Sequence, residues 1–209
     1  MMSYFPDREF EDCGAYAAAY LEQIVAAWRS LDADKISAAG ALLSSTLGDD
    51  RRIFSCGNGG SAAIANHLLC DWLKGVRTGT HLKPKVHTLS SSVELITALA
   101  NDIGVEEIFS YPLVSLAQKG DLLIAISSSG ASPNIVRAVE QARFMGLKII
   151  ALTGFDGSPV SSMADVSLHV SSSNYGVVED VHQSLMHVLA QFVRHRNVTE
   201  VGALGAIKF

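Results

Sequence analysis

The chain has 209 residues, of which 48% are hydrophobic; this suits one domain with a sizeable core and argues against a disordered chain. Its formal net charge of −5, without a basic stripe, argues against nucleic acid as a partner. Three cysteines without C-x-x-C spacing, no apolar signal core and no apolar run of membrane-spanning length predict a cytoplasmic protein that does not bind a membrane.

Two helices come first along the chain, because apolar residues recur at helical spacing over residues 16–28 and 36–47. Short runs rich in Ile, Leu and Val follow and are predicted as strands at residues 52–56, 85–89, 121–127, 148–153 and 166–170. Helical patterns lie between or after them, at residues 61–74, 92–99, 106–118, 134–145 and 178–194. Such alternation predicts a parallel sheet between two helical layers.

The prediction for the whole chain is a single domain of the α/β class over residues 1–209. A three-layer core is expected over about residues 10–196, with an N-terminal helical extension, and residues 197–209 are expected to form a tail. In open parallel sheets, ligands bind beyond the carboxyl ends of the strands. We therefore look for functional residues in the loops that follow the predicted strands.

The loop after the first strand reads GNGGSA over residues 57–62 and fits the loose G-x-G-x-x-A pattern of dinucleotide sites. Such a site also needs an acidic residue about 20 positions further on, at the end of the next strand. That strand ends near Leu89 and Ser90 without an acid, and Asp71 falls inside a helix. The sequence therefore argues against NAD.

The loop after the third strand places four hydroxyl groups just before a predicted helix: Ser127, Ser128, Ser129 and Ser132. Hydroxyls and free backbone N–H groups at a helix N-terminus form an anion site that suits a phosphate monoester. A single serine there is an ordinary helix cap. Four serines in six residues favour a phosphate site.

Two helices carry polar stripes. His67 and Asp71 lie one helical turn apart, a spacing that suits a shared metal ion, an acid–base pair or a surface ion pair. On the last helix, Glu179, Gln183 and His187 recur every four residues. From periodicity alone, a solvated polar face is the more ordinary interpretation of that second stripe.

Several motifs occur together and in order: CGNGGSAA, H-x-x-x-D, ANDIG, ISSSGASPN, ALTGFDG and E-D-x-H-x-x-x-x-H. In this order and spacing the chain resembles the sugar isomerase (SIS) domain, and within it the sedoheptulose 7-phosphate isomerase, or phosphoheptose isomerase, family. The resemblance implies a flavodoxin-like parallel sheet and a homotetramer with active sites at subunit interfaces. The reaction it implies converts sedoheptulose 7-phosphate to D-glycero-D-manno-heptose 7-phosphate by proton transfer through an enediol.

The resemblance also implies the site residues. The substrate contacts are expected at Asn58, Gly59, Gly60, Ser61, Asn101, Asp102, Ser127, Ser128, Ser129, Ser132 and Glu179. A divalent metal ion, zinc in this family, is expected at His67, Asp71, Glu179 and His187. Asp71 corresponds to the catalytic base and His187 to the acid.

Two of these positions depart from the family pattern. Asp71 stands where the family has a glutamate, and Glu179 stands where it has a glutamine. The shorter Asp71 withdraws the base from the substrate, whereas Glu179 adds negative charge to the metal site. A His-Asp-Glu-His set still suits a divalent ion. The identity of the sugar phosphate is therefore left open.

Two alternatives to a heptose isomerase follow from the same resemblance. One is a non-catalytic SIS-domain scaffold that binds sugar phosphates or has a regulatory role, such as the type that associates with the replication initiator. The other is an isomerase of a different sugar phosphate. Retention of His187 favours an enzyme, because scaffold relatives can lose that histidine.

Overall fold

The computed structural model describes residues 5–200 and residue 202. The N-terminal half contains α1 (Cys13–Arg29), α2 (Ala33–Gly48), β1 (Arg52–Gly57), α3 (Gly59–Cys70), a π-helical segment (Asp71–Val76), β2 (Lys85–Thr88), α4 (Val93–Asp102) and a 3₁₀ turn (Val105–Glu107). The rest contains α5 (Ser110–Leu116), β3 (Leu122–Ser127), α6 (Pro133–Met145), β4 (Lys148–Thr153), α7 (Val160–Met163), β5 (Val166–His169) and α8 (Tyr175–Asn197).

The sheet has five parallel strands in the order β2-β1-β3-β4-β5, which is the flavodoxin-like order. Helices cover both faces, so the predicted α/β class and parallel sheet are confirmed. The connections reverse direction between β1 and β3, and such a switch point leaves a crevice beyond the carboxyl ends of the strands.

The core consists of two apolar layers, one on each face of the sheet. On β3, Ile124 belongs to the layer under α2, α3 and α8, and its neighbour Leu123 belongs to the layer under α4, α5, α6 and α7. Successive side chains of a strand point to opposite faces. Both layers are buried, which is why the strands read as nearly continuous apolar runs.

Two predicted helices differ from the structure. The helix predicted at residues 61–74 is α-helical only to Cys70 and continues as the π-helical segment Asp71–Val76. The helix predicted at residues 106–118 is wrong, because the structure divides it into the 3₁₀ turn Val105–Glu107 and α5. Pro112 explains the division: a proline lacks an N–H group and fits only the first turn of a helix, so α5 begins at Ser110.

Part of the tail predicted at residues 197–209 is packed against the domain. Val198 forms an antiparallel bridge with Thr80, and the N–H of Thr199 donates to the carbonyl of Gly79 at 3.0 Å. Residues 201 and 203–209 lie outside the described residues. In the part of the chain that the structure describes, no helix is both long enough and apolar enough to cross a bilayer.

Candidate active site

A cavity of about 270 Å³ opens beyond the carboxyl ends of β1 and β3, at the switch point of the sheet. It is lined by Asn58, Gly59, Gly60, Ser61, Ile126, Ser127, Ser128, Ser129, Ser132, Tyr175 and Glu179. All the predicted substrate residues except Asn101 and Asp102 therefore meet in one pocket. Its walls are the starts of α3 and α6 and the first turns of α8.

The serine loop, residues 127–132, leaves hydrogen-bonding groups available to a ligand. The Ser128 side chain is buried, and its Oγ has no hydrogen-bond partner among the described residues. Ser132 is the N-cap of α6, and its side chain makes no cap hydrogen bond in the described structure. A buried unpaired hydroxyl beside an uncapped helix N-terminus is the arrangement expected of an anion site.

The loop between β4 and α7 packs against the serine loop and supports it. The N–H of Gly154 donates to the Ser128 carbonyl at 2.9 Å, and the N–H of Val160 donates to the Gly130 carbonyl at 3.1 Å. Gly130 has φ +68°, and a Cβ atom there would overlap the backbone of Gly157. The two loops are thus packed backbone to backbone, and the ALTGFDG motif acts as a support rather than as a third binding loop.

Glu179 lies against the glycine loop. A Cβ atom at Gly60 would overlap the Glu179 carboxylate, so any larger residue would displace that group. Burial raises the pKa of the Glu179 carboxyl, and the negative charge of Asp180 adds to the rise. Glu179 therefore faces the pocket beside Gly60, which has no side chain, and can contact a sugar bound there.

A separate polar cluster joins α8 to the end of α3 and the beginning of the π-helical segment. His67 Nε2 lies 3.3 Å from Asp71 Oδ1, and His187 Nδ1 lies 3.2 Å from Asp71 Oδ2. The two imidazole rings meet edge to face, with centroids 5.0 Å apart. One ligand atom from each residue lies within 4.8 Å of the others. The wider helical turn begins at Asp71, and such turns are frequent at functional sites.

This cluster has the character of a metal site. Asp71 is only 8% exposed, and although His187 Nδ1 lies 3.2 Å from its Oδ2, that oxygen accepts no hydrogen bond of acceptable geometry among the described residues. A bound cation would satisfy that buried oxygen. Two imidazoles and one carboxylate, with a fourth position left open, form the ligand set of many catalytic zinc sites. His67, Asp71 and His187 therefore fit a divalent ion.

Glu179 is not part of this cluster within one chain, although it was predicted as a fourth ligand. It precedes His187 by eight residues on α8, and eight residues of α-helix span about 12 Å. The spacing places both side chains on the same face of α8 but at different positions along the helix axis. Asn101 and Asp102 also lie apart from the pocket: both are exposed at the end of α4, where Asn101 Nδ2 donates to Asp102 Oδ1 at 2.7 Å.

The structure adds residues that the sequence reasoning missed. Tyr175 lines the pocket, and its ring packs on Phe155 with centroids 4.7 Å apart. It precedes Glu179 by four residues on α8, so helical spacing was a signal that could have identified it. Asn134 was also missed, although it ends the ISSSGASPN motif and is hydrogen-bonded to Asn58.

Comparison with known proteins identifies the family of this chain. Residues 15–154 match the model of the SIS domain family. The phosphoheptose isomerase of Colwellia psychrerythraea (strain 34H) is 38% identical over 161 residues, which cover 76% of this chain and 82% of that protein. The chain belongs to the phosphoheptose isomerase family.

Solved structures of phosphoheptose isomerases have the same fold. The protein from Neisseria gonorrhoeae is 32% identical with a TM-score of 0.77, and the match covers 85% of this chain and 95% of that one. The protein from Francisella tularensis is 30% identical with a TM-score of 0.77, and the match covers 86% and 95%. The phosphoheptose isomerase fold therefore extends over most of this chain.

Proposed function

We propose that this chain is an aldose–ketose phosphosugar isomerase that converts sedoheptulose 7-phosphate to D-glycero-D-manno-heptose 7-phosphate. Membership of the phosphoheptose isomerase family supports the reaction class. The observation that carries the proposal is the pairing of two features: a pocket suited to a phosphate and a His-Asp-His cluster, centred on the buried Asp71, that is suited to acid–base chemistry.

The serine loop binds the phosphate in this proposal. The Ser128 hydroxyl, unpaired among the described residues, and the N–H of Asn134 in the first turn of α6 supply donors. The described residues that line the pocket include no lysine or arginine. Asn58, Gly59, Gly60 and Ser61 contact the sugar hydroxyls by close backbone approach, and Glu179, which lies against Gly60, contacts them through its carboxylate. Contacts of Asn101 and Asp102 with the sugar stay a prediction, since both side chains are exposed outside this pocket.

Asp71 and His187 transfer the protons. Asp71 removes a proton from C1 of the ketose while His187 protonates the carbonyl oxygen at C2, which gives the enediol. Return of a proton to C2, with loss of the proton on the C1 hydroxyl, completes the aldose. Each carboxylate oxygen of Asp71 faces a different histidine, so one oxygen can be held while the other accepts a proton.

The cluster is proposed to hold zinc. His67, Asp71 and His187 would each hold the ion through one atom within one chain, which leaves the second oxygen of Asp71 and the second ring nitrogen of His187 for the proton transfers. When bound, a divalent ion polarises the carbonyl oxygen and stabilises the negative charge that develops there. Glu179 is the fourth proposed ligand.

The proposed assembly is a homotetramer with active sites at subunit interfaces. Because Glu179 and His187 are about 12 Å apart along α8, a metal ion bound by both requires one of the two residues to come from another copy. Exposed apolar side chains on the outer helices support such contacts: Leu21 on α1 and Val188 and Phe192 on α8. Val188 directly follows His187, so this apolar surface reaches the cluster.

The proposal includes a single SIS domain over the whole chain and a cytoplasmic location. The three cysteines support the location, because all are free thiols and reducing compartments keep thiols unpaired. No nucleic acid or membrane partner is proposed.

The direct test is proton exchange followed by NMR. Purified protein is incubated in D₂O with sedoheptulose 7-phosphate and with a panel of other ketose phosphates. We expect deuterium at C2 of the aldose formed from the heptulose phosphate. If deuterium is incorporated only with a different ketose phosphate, the proposed substrate is wrong but the isomerase reaction stands. Binding of sugar phosphates without exchange would contradict the proposal and favour the scaffold.

A further inference from the structure

The side chains of Asn58 and Asn134 form a reciprocal amide pair at the edge of the pocket. Asn58 Nδ2 donates to Asn134 Oδ1 at 2.8 Å, and Asn134 Nδ2 donates to Asn58 Oδ1 at 2.9 Å. Asn134 is buried, with 6% of its surface exposed. Two hydrogen bonds between planar amide groups fix both their distance and their relative orientation.

The pair connects the two helices whose first turns line the pocket. Asn58 is the N-cap of α3, and Asn134 is the second residue of α6, 76 positions later in the chain. The crevice lies between these two helices. The glycine loop, which we assign to the sugar, and the serine loop, which we assign to the phosphate, border it. The amide pair is therefore a direct side-chain connection across the ligand site.

Neither helix uses a side chain to cap its own N-terminus in the described structure. Other helices of the chain do: Ser92 accepts from Leu95 N in α4, and Asn174 accepts from Val177 N in α8. Asn58 has a side chain suited to capping α3, but its amide bonds to Asn134 instead. The first-turn N–H groups of α3 and the N–H of Asn134 in α6 are left available to a ligand, whereas Pro133 has no N–H and the N–H of Ile135 donates to the Ser132 carbonyl at 3.0 Å.

We propose that Asn134, acting through Asn58, is a positioning residue for the phosphosugar site. The pair holds the N-termini of α3 and α6 at the separation at which both face one phosphorylated ligand. This inference rests on the proposed function, because it takes the serine loop to be the phosphate site. It also gives the Asn58 side chain a supporting role, distinct from the backbone contacts of the glycine loop with the sugar.

The amide pair behaves as one unit. Truncation of either asparagine removes both hydrogen bonds and leaves the other amide without its partner. Once one side chain is lost, loss of the second removes nothing more from the connection. The fold-changes in phosphate Kd that the two single substitutions cause should therefore not multiply in the double variant. Such non-additivity identifies coupled residues in a double-mutant cycle.

The experiment is a double-mutant cycle with inorganic phosphate as the probe. Calorimetry measures the Kd of phosphate for the wild type, Asn134→Ala, Asn58→Ala and the double variant. We expect each single variant to raise the Kd roughly tenfold, the size of effect that loss of two hydrogen bonds produces. The double variant should be no weaker than either single variant. Multiplication of the two effects, or an unchanged Kd in Asn134→Ala, would overturn the inference.

Asn66→Ala is the matched control. Asn66 is also an asparagine of α3 with a hydrogen bond between elements, since its Oδ1 accepts from Thr88 Oγ1 of β2 at 2.7 Å. It lies toward β2 rather than toward α6. The control should lower the unfolding temperature but leave the phosphate Kd unchanged. Equal changes of Kd in Asn66→Ala and Asn134→Ala would mean that Asn134 acts only through general stability, which also overturns the inference.

Kinetics supply a second readout. In Asn134→Ala, the KM for the phosphosugar should rise by the same factor as the phosphate Kd, with kcat changed less than about twofold, because the cluster of His67, Asp71 and His187 is untouched. A fall in kcat with unchanged KM would contradict a positioning role. If Asn134→Ala does not fold, Asn134→Leu, which keeps a similar volume and removes both hydrogen bonds, carries the same test.

The two proposals can fail separately. A wild type that binds phosphate and turns over no sugar contradicts the proposed reaction but leaves this inference open to the calorimetric cycle. A wild type that binds no phosphate overturns this inference. Normal phosphate binding in both single variants overturns it while the proposed reaction stands.

Discussion

His182 is a fully buried residue of α8 that connects this helix to the carboxyl end of β4. Its Nε2 lies 3.2 Å from the Thr153 carbonyl, and burial lowers the pKa of the imidazole from 6.5 to about 4. The ring is therefore neutral in the folded protein at physiological pH. It lies between Glu179 and His187 on the helix, so it helps to hold the two side chains that serve different parts of the site.

This burial predicts a pH-dependent stability. Between pH 6.5 and about 4 the unfolded chain binds a proton that folded His182 does not, so the free energy of unfolding falls as pH decreases through this window. The full loss is about 3 kcal/mol. Urea titrations from pH 7.5 to 4 measure it. His182→Gln, which is neutral throughout, should show a shallower decline; an equal decline in both proteins would contradict the assignment.

At the scale of elements, the tightest contact near the pocket is that of the serine loop with the β4–α7 loop. Gly130→Ala should be disruptive for two reasons: the backbone is at φ +68°, and the new Cβ would overlap the backbone of Gly157. We expect a loss of about 2 kcal/mol or more in the free energy of unfolding and weaker phosphate binding, because the loop must move. Denaturant unfolding and calorimetry measure the two effects.

Gly146→Ala is the control for this prediction. Gly146 has φ +76° at the C-cap of α6, but a Cβ there would meet only the flexible Lys119 side chain. The conformational cost alone is about 1 kcal/mol. If Gly130→Ala and Gly146→Ala destabilise equally and neither alters phosphate affinity, the packing of the two loops does not maintain the phosphate site.

The elements that sequence patterns predicted best were the buried strands. All five strands were predicted within a few residues, because a strand covered on both faces must be apolar throughout, as β3 is. The helix over residues 106–118 was wrong because apolar periodicity took no account of Pro112. The π-helical turn at Asp71 has no sequence signature that periodicity detects.

The site was predicted less completely than the fold. The family resemblance placed Glu179 and His187 in one metal site, but their eight-residue separation on α8 corresponds to about 12 Å, and one chain keeps them apart. Ser127, Ser128, Ser129 and Ser132 were expected because they belong to one strand–helix junction. The pairing of Asn58 with Asn134 depends on which loops the sheet brings together, which local patterns do not reveal.

At the scale of the whole molecule, the phosphate pocket and the His-Asp-His cluster occupy different turns of the same two helices. Within one chain, α3 and α8 carry Gly60 and Glu179 at one level and His67, Asp71 and His187 at the other. An isomerase needs its phosphate site and its acid–base groups on one substrate. The proposed assembly meets this need by bringing the pocket of one copy to the cluster of another.

The most direct measurement is isomerase turnover in mixed oligomers of Glu179→Ala and His187→Ala. Each variant alone should lose activity, His187→Ala by roughly 10²–10⁴-fold, which is the contribution of a general acid, the role proposed for His187. Oligomers reassembled from both variants should recover part of the wild-type turnover, since some interfaces pair an intact pocket with an intact cluster. Wild-type turnover in His187→Ala alone, or a mixture no more active than its components, would contradict an active site built from both features across subunits.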